Sequence, residues 1–570
     1  MHSEKVLKYY PNLKSTSWRA LKKKMKEIDK MQVESVENLK EQIERYSEIY
    51  TLVEDSTMLV GADYLRYGNF GSIAKAGVQL IRTTLPGLLN YNKRKKSIKQ
   101  SPYFEQLAIE EPKLRLLLEK DEKIPLQPWL IMREYYHVMK FSANFGRMQI
   151  KFDGKNQSYY KLQKYLENPD RNIRFNAWAA QNRLLSERSS RYNQLFDKLL
   201  KIRIKRANKC GYENVRDFFH DSKGRFDYTP ADCFKFHDAV EKKVVPIVAK
   251  LNQMRKEKLN VESLRPWDKF VPIMGPPLKP YETEEELLEK VNRIYEKIDP
   301  EFADVFRYMR EKGFIDSENR KGKTPGAMSI PLMLHRCGFI IANSVGSSDD
   351  VSTLIHEGGH AVHYNYMAEQ PFAMYCEFLN LPMELAEIGS MTMEMLGLPY
   401  LDEFYTNEHE RKRAIASCLL APIRFFPWCA TVDAFQQWIY TNLDHTPEQR
   451  MEKFGELVER FDGAAGIDYS GFEKERNQIW FKQTHIFQMP FYYIEYGIAQ
   501  LAAIGIYRNY KKNKDKAIEQ FKALLGMGYS KSLPEIFKAG GIPFDFSEAY
   551  IGELVEFMKS ELKQLHFMDI

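Results

Sequence analysis

The sequence predicts a mainly α-helical protein with at least two lobes around a cleft or channel, and a small β-sheet beside one helix that carries paired histidines. Three observations predict it. A chain of 570 residues exceeds the size at which a single hydrophobic core stops growing, so it divides. Long segments such as SVENLKEQIERYSEIYTLVED from Ser35 and ERSSRYNQLFDKLLKIRIKRA from Glu187 space apolar residues three and four apart, which is the helical period. Proline and glycine concentrate between Leu264 and Pro331, predicting loops and short strands there.

The N-terminal region, residues 1–185, reads as helical, and residues 186–570 as the region that carries the chemistry. The first thirty residues lack the apolar core of a secretory signal, and no uninterrupted apolar run has the length of a membrane span; a cytoplasmic protein without a membrane partner is expected. Hydrophobic residues are 44% and charged residues 28%, the balance of a globular chain. Six cysteines without Cys-x-x-Cys spacing indicate reduced thiols and not a disulfide or zinc framework. With 84 basic against 77 acidic residues no nucleic-acid partner is implied. The basic runs Lys93 to Lys99 and KIRIKRANK from Lys201 lack interleaved aromatics and read as solvated faces.

A β-like run, CGFIIANSVG from Cys337 to Gly346, precedes SSDD at Ser347 to Asp350. The latter supplies N-cap and acidic first-turn residues, so a helix is expected from about Asp349. On it lies His356-Glu357-x-x-His360. Four residues apart on a helix, His356 and His360 share one face and reach a single metal ion. Glu357, about 100 degrees around the axis, meets a water on that metal without ligating it. Gly358 and Gly359 each cost about 1 kcal/mol against alanine inside a helix and imply close approach of a neighbouring element.

A catalytic zinc site needs a third protein ligand. His363 and Tyr366 occupy the positions where an extended three-histidine motif has glycine and histidine, which excludes that route. The spacing of thermolysin-like enzymes falls at Leu379 or Asn380, neither of which serves. Glu384, Glu387 and Glu394 lie on one helical face, and geometry alone leaves the choice among them open.

The combination of HEGGHAVH with EIGSMTME, in which Glu387, Ser390 and Glu394 stand in a Glu-x-x-Ser-x-x-x-Glu pattern, resembles the thimet oligopeptidase and oligoendopeptidase F family of zinc metallopeptidases. THIFQMPFYYIEYGIAQLAA from Thr484 is similar to that family's His-and-Tyr segment in its PZ-peptidase-like branch. The likeness extends over roughly Asn172 to Ser547. It implies a two-lobed helical metallopeptidase enclosing a substrate channel, with one Zn2+ per chain on His356, His360 and Glu387. Glu384 is the fallback ligand, because Glu387 stands 27 residues beyond His360, further than is usual in the family; a short insertion near Gln370 to Leu381 accounts for the shift. Glu394 would orient a ligand histidine.

Glu357 is then the general base of peptide hydrolysis, and His485, Tyr496 and Tyr493 are donors to the developing oxyanion. Tyr492 is a substrate contact. By composition alone PFYYIEY is an aromatic core stripe; the resemblance makes it functional. Phe339, Ile341 and Asn343, read as an edge strand, and Gly346 after them would hold an extended peptide by main-chain hydrogen bonds. Ser329 stands where zinc aminopeptidases carry the glutamate that binds an N-terminal amine, so internal cleavage of oligopeptides is expected. The alternatives are a peptidyl-dipeptidase-type carboxypeptidase and a catalytically inactive peptide-binding scaffold.

Overall fold

The computed structural model describes all residues except 1, 14–16, 273, 378–379 and 567–570. Phe378 and Leu379, in the stretch read as an insertion, therefore lie outside the described residues. The chain forms two compact units, one of Met1–Glu122, Leu278–Ile415 and Ala502–Phe544, the other of Lys123–Pro277, Ala416–Leu501 and Asp545–Ile570. Neither is contiguous in sequence. The division expected after residue 185 is not among these boundaries, because residues 123–277 stay together.

Most of the chain is helical. The elements needed below are α1 (Val36–Tyr67), α2 (Phe70–Gln79), α3 (Leu85–Lys99), β1 (Gln149–Phe152), β2 (Lys155–Ser158), α4 (Glu284–Ile298), β3 (Ile315–Glu318), β4 (Met328–Leu332), β5 (Cys337–Ser344), α5 (Ser348–Met367), α6 (Met383–Gly397), α7 (Glu408–Ile439) and α8 (Tyr493–Lys512). β1 and β2 form an antiparallel hairpin inside the stretch read as purely helical. Its turn is Asp153-Gly154, both with positive φ, a recognisable hairpin signal. α7 is long and apolar enough to cross a membrane by length and composition, yet most of its apolar stretch is buried in the protein, as in a central core helix.

The second unit holds an aromatic core in which Phe487 stacks on Phe141 at 3.8 Å and on Trp480 at 5.2 Å between centroids. The basic runs face solvent at Lys93, Lys96, Lys201, Lys205 and Lys209, but each also buries one charge. Lys95 is buried and pairs with Glu377 at 2.8 Å and Asp121 at 3.0 Å. Arg203 is buried against Glu134 at 2.7 Å and the Tyr440 hydroxyl at 2.6 Å. Buried charges persist only when paired, so Lys95 and Arg203 serve packing within otherwise solvated runs, which the charge pattern alone does not reveal.

In the first unit the sheet has the order β3-β5-β4, with β3 parallel and β4 antiparallel to β5. β5 is thus the central strand. This corrects the expectation of an edge strand at Phe339 to Asn343: Ile341 pairs with Asp316 on one side and Met328 on the other, and Phe339 pairs with Ile330 and is buried. A run with no polar alternation over six residues is what a strand covered on both faces requires. Asn343 uses its side-chain amide to hold the Thr324 and Gly326 carbonyls at 2.8 and 2.9 Å, pinning the loop before β4. Gly346, at φ +86°, makes the turn from β5 to α5, and its N–H donates to the Tyr281 hydroxyl at 2.9 Å.

Candidate active site

α5 begins at Ser348, one residue before the sequence expectation. A capping box sets its start: Ser347 accepts from the Asp350 N–H, and Asp350 accepts from the Ser347 N–H at 2.7 Å. Asp350 also accepts from the Val345 N–H and the Tyr281 hydroxyl, tying the strand end to the helix. These bonds occupy N-terminal donors that a helix cannot satisfy internally, and they fix where the next two turns point.

Gly358 and Gly359 do admit close neighbours. A Cβ on Gly358 would stand 2.3 Å from the Tyr295 hydroxyl of α4, which donates to the Ile355 carbonyl at 2.7 Å. A Cβ on Gly359 would stand 2.7 Å from the Ser390 Cα and 2.8 Å from the Gly389 carbonyl oxygen of α6. Backbone-to-backbone contact at Gly359 brings α6 within reach of the two histidines.

Of the three glutamates, Glu387 is the one grouped with the two histidines. Glu387 Oε2 lies 3.4 Å from His356 Nε2 and 3.5 Å from His360 Nε2. Among the described residues these three form a group able to hold a metal ion. Donors about 2.1 Å from a tetrahedral ion are about 3.4 Å apart, so the spacing fits. Glu384, buried in the first turn of α6, is not part of the group. Glu394 accepts from His356 Nδ1 at 2.7 Å, leaving Nε2 as the ligand atom.

Glu357 is buried with Oε2 lacking a hydrogen-bond partner. Burial pushes its carboxyl up to about 7, with Glu387 and Glu394 adding to the rise while His356 and the Ser329 N–H oppose it. Burial lowers His360 to about 4. Burial acts to lower His356 too, but its bonds to Glu387 and Glu394 outweigh this and hold it well above the usual value. β4 borders this group, since Tyr364 of α5 donates to the Ser329 carbonyl at 3.2 Å.

In the second unit His485 sits among three phenols, with ring centroids 5.7 Å from Tyr492, 5.3 Å from Tyr493 and 6.1 Å from Tyr496. Tyr493 and Tyr496 share the first turn of α8, as their spacing requires. Gln483 contacts His485 Nδ1 at 2.7 Å and accepts from Trp428 at 2.9 Å, orienting the imidazole.

The sequence reading missed the anchors of this segment. Glu495, buried beside the tyrosines, pairs with Arg225 at 2.7 Å and Lys223 at 3.1 Å. Arg225 also donates to the Phe491 carbonyl at a positive-φ turn of +59°. A single acid inside an aromatic run was the available signal, but its partner lies 270 residues away. Tyr281 and Tyr295, which bond Asp350 and the Ile355 carbonyl of α5 ahead of the two histidines, carried no signal in sequence.

The chain is similar to known peptidases. The model of peptidase family M3 matches residues 164–556. The oligoendopeptidase F homolog of Borreliella burgdorferi is 24% identical over 486 residues, 81% of this chain and 77% of that one. Oligopeptidase PepF of Bacillus subtilis is 24% identical over 312 residues, 53% of this chain and 44% of its own. The solved structure of PZ peptidase A with inhibitor 2 is 26% identical, covers 96% of this chain and 97% of its own, and superposes with a TM-score of 0.83.

Proposed function

This chain belongs to peptidase family M3, and from that premise we propose that it is a zinc-dependent endopeptidase that hydrolyses internal bonds of oligopeptides. The observation carrying this reading is a three-donor group, His356, His360 and Glu387, next to a buried carboxylate, Glu357, that is not part of it. A binding protein has no use for that fourth group. Two imidazoles and one carboxylate are a donor set typical of catalytic zinc, and the ion, when bound, supplies Lewis acidity toward the peptide carbonyl and toward water.

The chain's own residues do the rest. Glu357 takes the proton from the attacking water and delivers it to the amine nitrogen as the C–N bond breaks. Glu394 holds His356 in its ligating tautomer. His485, Tyr493 and Tyr496 are assigned to the oxyanion and Tyr492 to substrate contact, by the resemblance of their segment to the family's. β4 carries the substrate backbone in place of β5, because no strand pairs with its outer edge among the described residues and Ser329 in it acts on Glu357. An added antiparallel or parallel strand binds main chain to main chain and tolerates varied side chains.

The test joins metal analysis with mass spectrometry of products. Zinc in about one equivalent, loss of hydrolysis on chelation, recovery on adding zinc, and fragments cut at internal bonds are expected. Full activity in a metal-free preparation, or release of C-terminal dipeptides alone, overturns it.

A further inference from the structure

α2 and α3, joined by a π-helical turn at Leu80–Thr84, pack the wrong way round for helices of a water-soluble surface. The residues they bury are Ser72, Thr83, Gly87, Tyr91, Lys95 and Ile98, mostly small or polar. Against α1, Gly87 lies on Val53, and Thr84 and Gln79 make hydrogen bonds to Thr57 and Ser56. Their large apolar side chains point out: Phe70 is 86% exposed, Ile81 69% and Leu89 61%, with Ile73 and Leu85 beside them. Surface helices place their apolar stripe on the core, and an exposed apolar face of this extent marks a binding surface.

Two observations say what covers it. Residues 69–90 contain no acid, and their only charges are Lys75, which pairs with Asp63 at 2.6 Å, and exposed Arg82. The face also begins beside the loop that leads into β4. At the end of α1 the Leu65 carbonyl accepts from the Thr324 N–H at 2.9 Å, and the position of a Cβ on Gly68 is 2.8 Å from the Gly322 carbonyl oxygen. Thus α2 starts beside the loop that leads into β4, all within one unit. From Phe70 to Leu89 the helical path is about 30 Å, the reach of about nine extended residues.

We propose that the outward face of α2 and α3 is the docking surface for the part of the substrate peptide that lies beyond the cleaved bond and β4, and that it selects peptides with large apolar side chains. This rests on the peptidase reading above. The proposal assigns affinity to Ile81 and Leu89 and leaves the chemical step to the metal-binding group.

The experiment uses the full-length, zinc-loaded protein and its Ile81→Ser/Leu89→Ser variant, both substitutions being at exposed positions. Three fluorogenic peptides share one cleavable core: the core alone at about five residues, the core with a nine-residue apolar extension, and the core with a Ser/Gly extension. In the wild type the apolar extension is expected to lower KM by about tenfold relative to the other two. In the variant that advantage disappears while kcat on the core peptide is unchanged. An equal KM for all three peptides in the wild type, or an advantage kept by the variant, overturns the proposal. So does a wild-type dimer that the variant converts to a monomer, or pelleting with anionic vesicles lost in the variant while KM values stay equal, because the face then serves a second copy or a lipid surface. If the wild type cleaves none of the peptides, the peptidase reading fails; fluorescence anisotropy of the labelled apolar peptide then decides the docking face by itself, with variant-sensitive binding upholding it and variant-insensitive binding overturning it.

Discussion

Glu357 and Glu387 are both buried carboxylates near the same histidines, and their positions divide their roles. Glu387 is within 3.5 Å of His360 Nε2 and belongs to the group that could hold a metal ion; Glu357 stands outside it. Glu357→Gln is therefore expected to retain stoichiometric zinc and lose about two to four orders of magnitude in kcat, whereas Glu387→Gln loses zinc when dialysed against a weak chelator. Metal content and turnover measured on both variants check this, and a zinc-free Glu357→Gln would exchange the assignments. Tyr496→Phe removes one hydroxyl from the cluster around His485. If that hydroxyl serves the developing charge, kcat falls about a hundredfold or more while KM changes little; steady-state kinetics showing a change in KM alone would make Tyr496 a ground-state contact.

At the scale of elements, the site depends on how closely α5 and α6 approach. Gly359 allows Ser390 and Gly389 to lie where any side chain would stand. Gly359→Ala forces the helices apart by a few tenths of an ångström or more, with a stability cost of about 1–3 kcal/mol typical of overpacking. Because Glu387 rides on α6, the variant is expected to stay folded by circular dichroism yet bind zinc at least tenfold more weakly in a competition titration. Unchanged affinity would mean that the close crossing serves packing only. The Gly358-Gly359 pair was legible as a demand for close approach, but the identity of the neighbours, Tyr295 and α6, was not, since they lie about sixty residues before it and thirty after it in sequence. The same limit explains β5. Its apolar run announced a strand, and only the pairing of β3 and β4 on either side made it central and left the sheet's outer edges, among the described residues, to β3 and β4.

At the scale of the molecule, a substrate that adds a strand to β4 must present unpaired backbone. A folded protein exposes such backbone only after unfolding, at a cost of about 5–15 kcal/mol. One cleavable sequence offered as a free peptide of about ten residues and as a loop in a stable folded host is expected to be cut at least a hundredfold faster in the free form. Comparable rates by mass spectrometry would overturn β4 as the peptide-binding strand. Zinc at a hundred times its dissociation constant should also raise stability by about 2.7 kcal/mol through binding to the native state alone, seen as a higher Tm than in chelator.

What the sequence determined by itself is what depends on short-range spacing: the helical character, the capped start of α5, the paired histidines one turn apart with Glu357 between them, and the tyrosine spacing of α8. Each follows from backbone geometry over a few residues. The tertiary structure decided what depends on elements distant in the chain. It grouped Glu387, and not Glu384, with the histidines by the crossing at Gly359, buried Lys95 and Arg203 in ion pairs where the charge pattern suggested solvent, and linked Glu495 to Arg225. It also turned the apolar face of α2 and α3 outward. Long-range packing decides these because burial and pairing are properties of the neighbours a residue acquires on folding, and no local period encodes which neighbours those are.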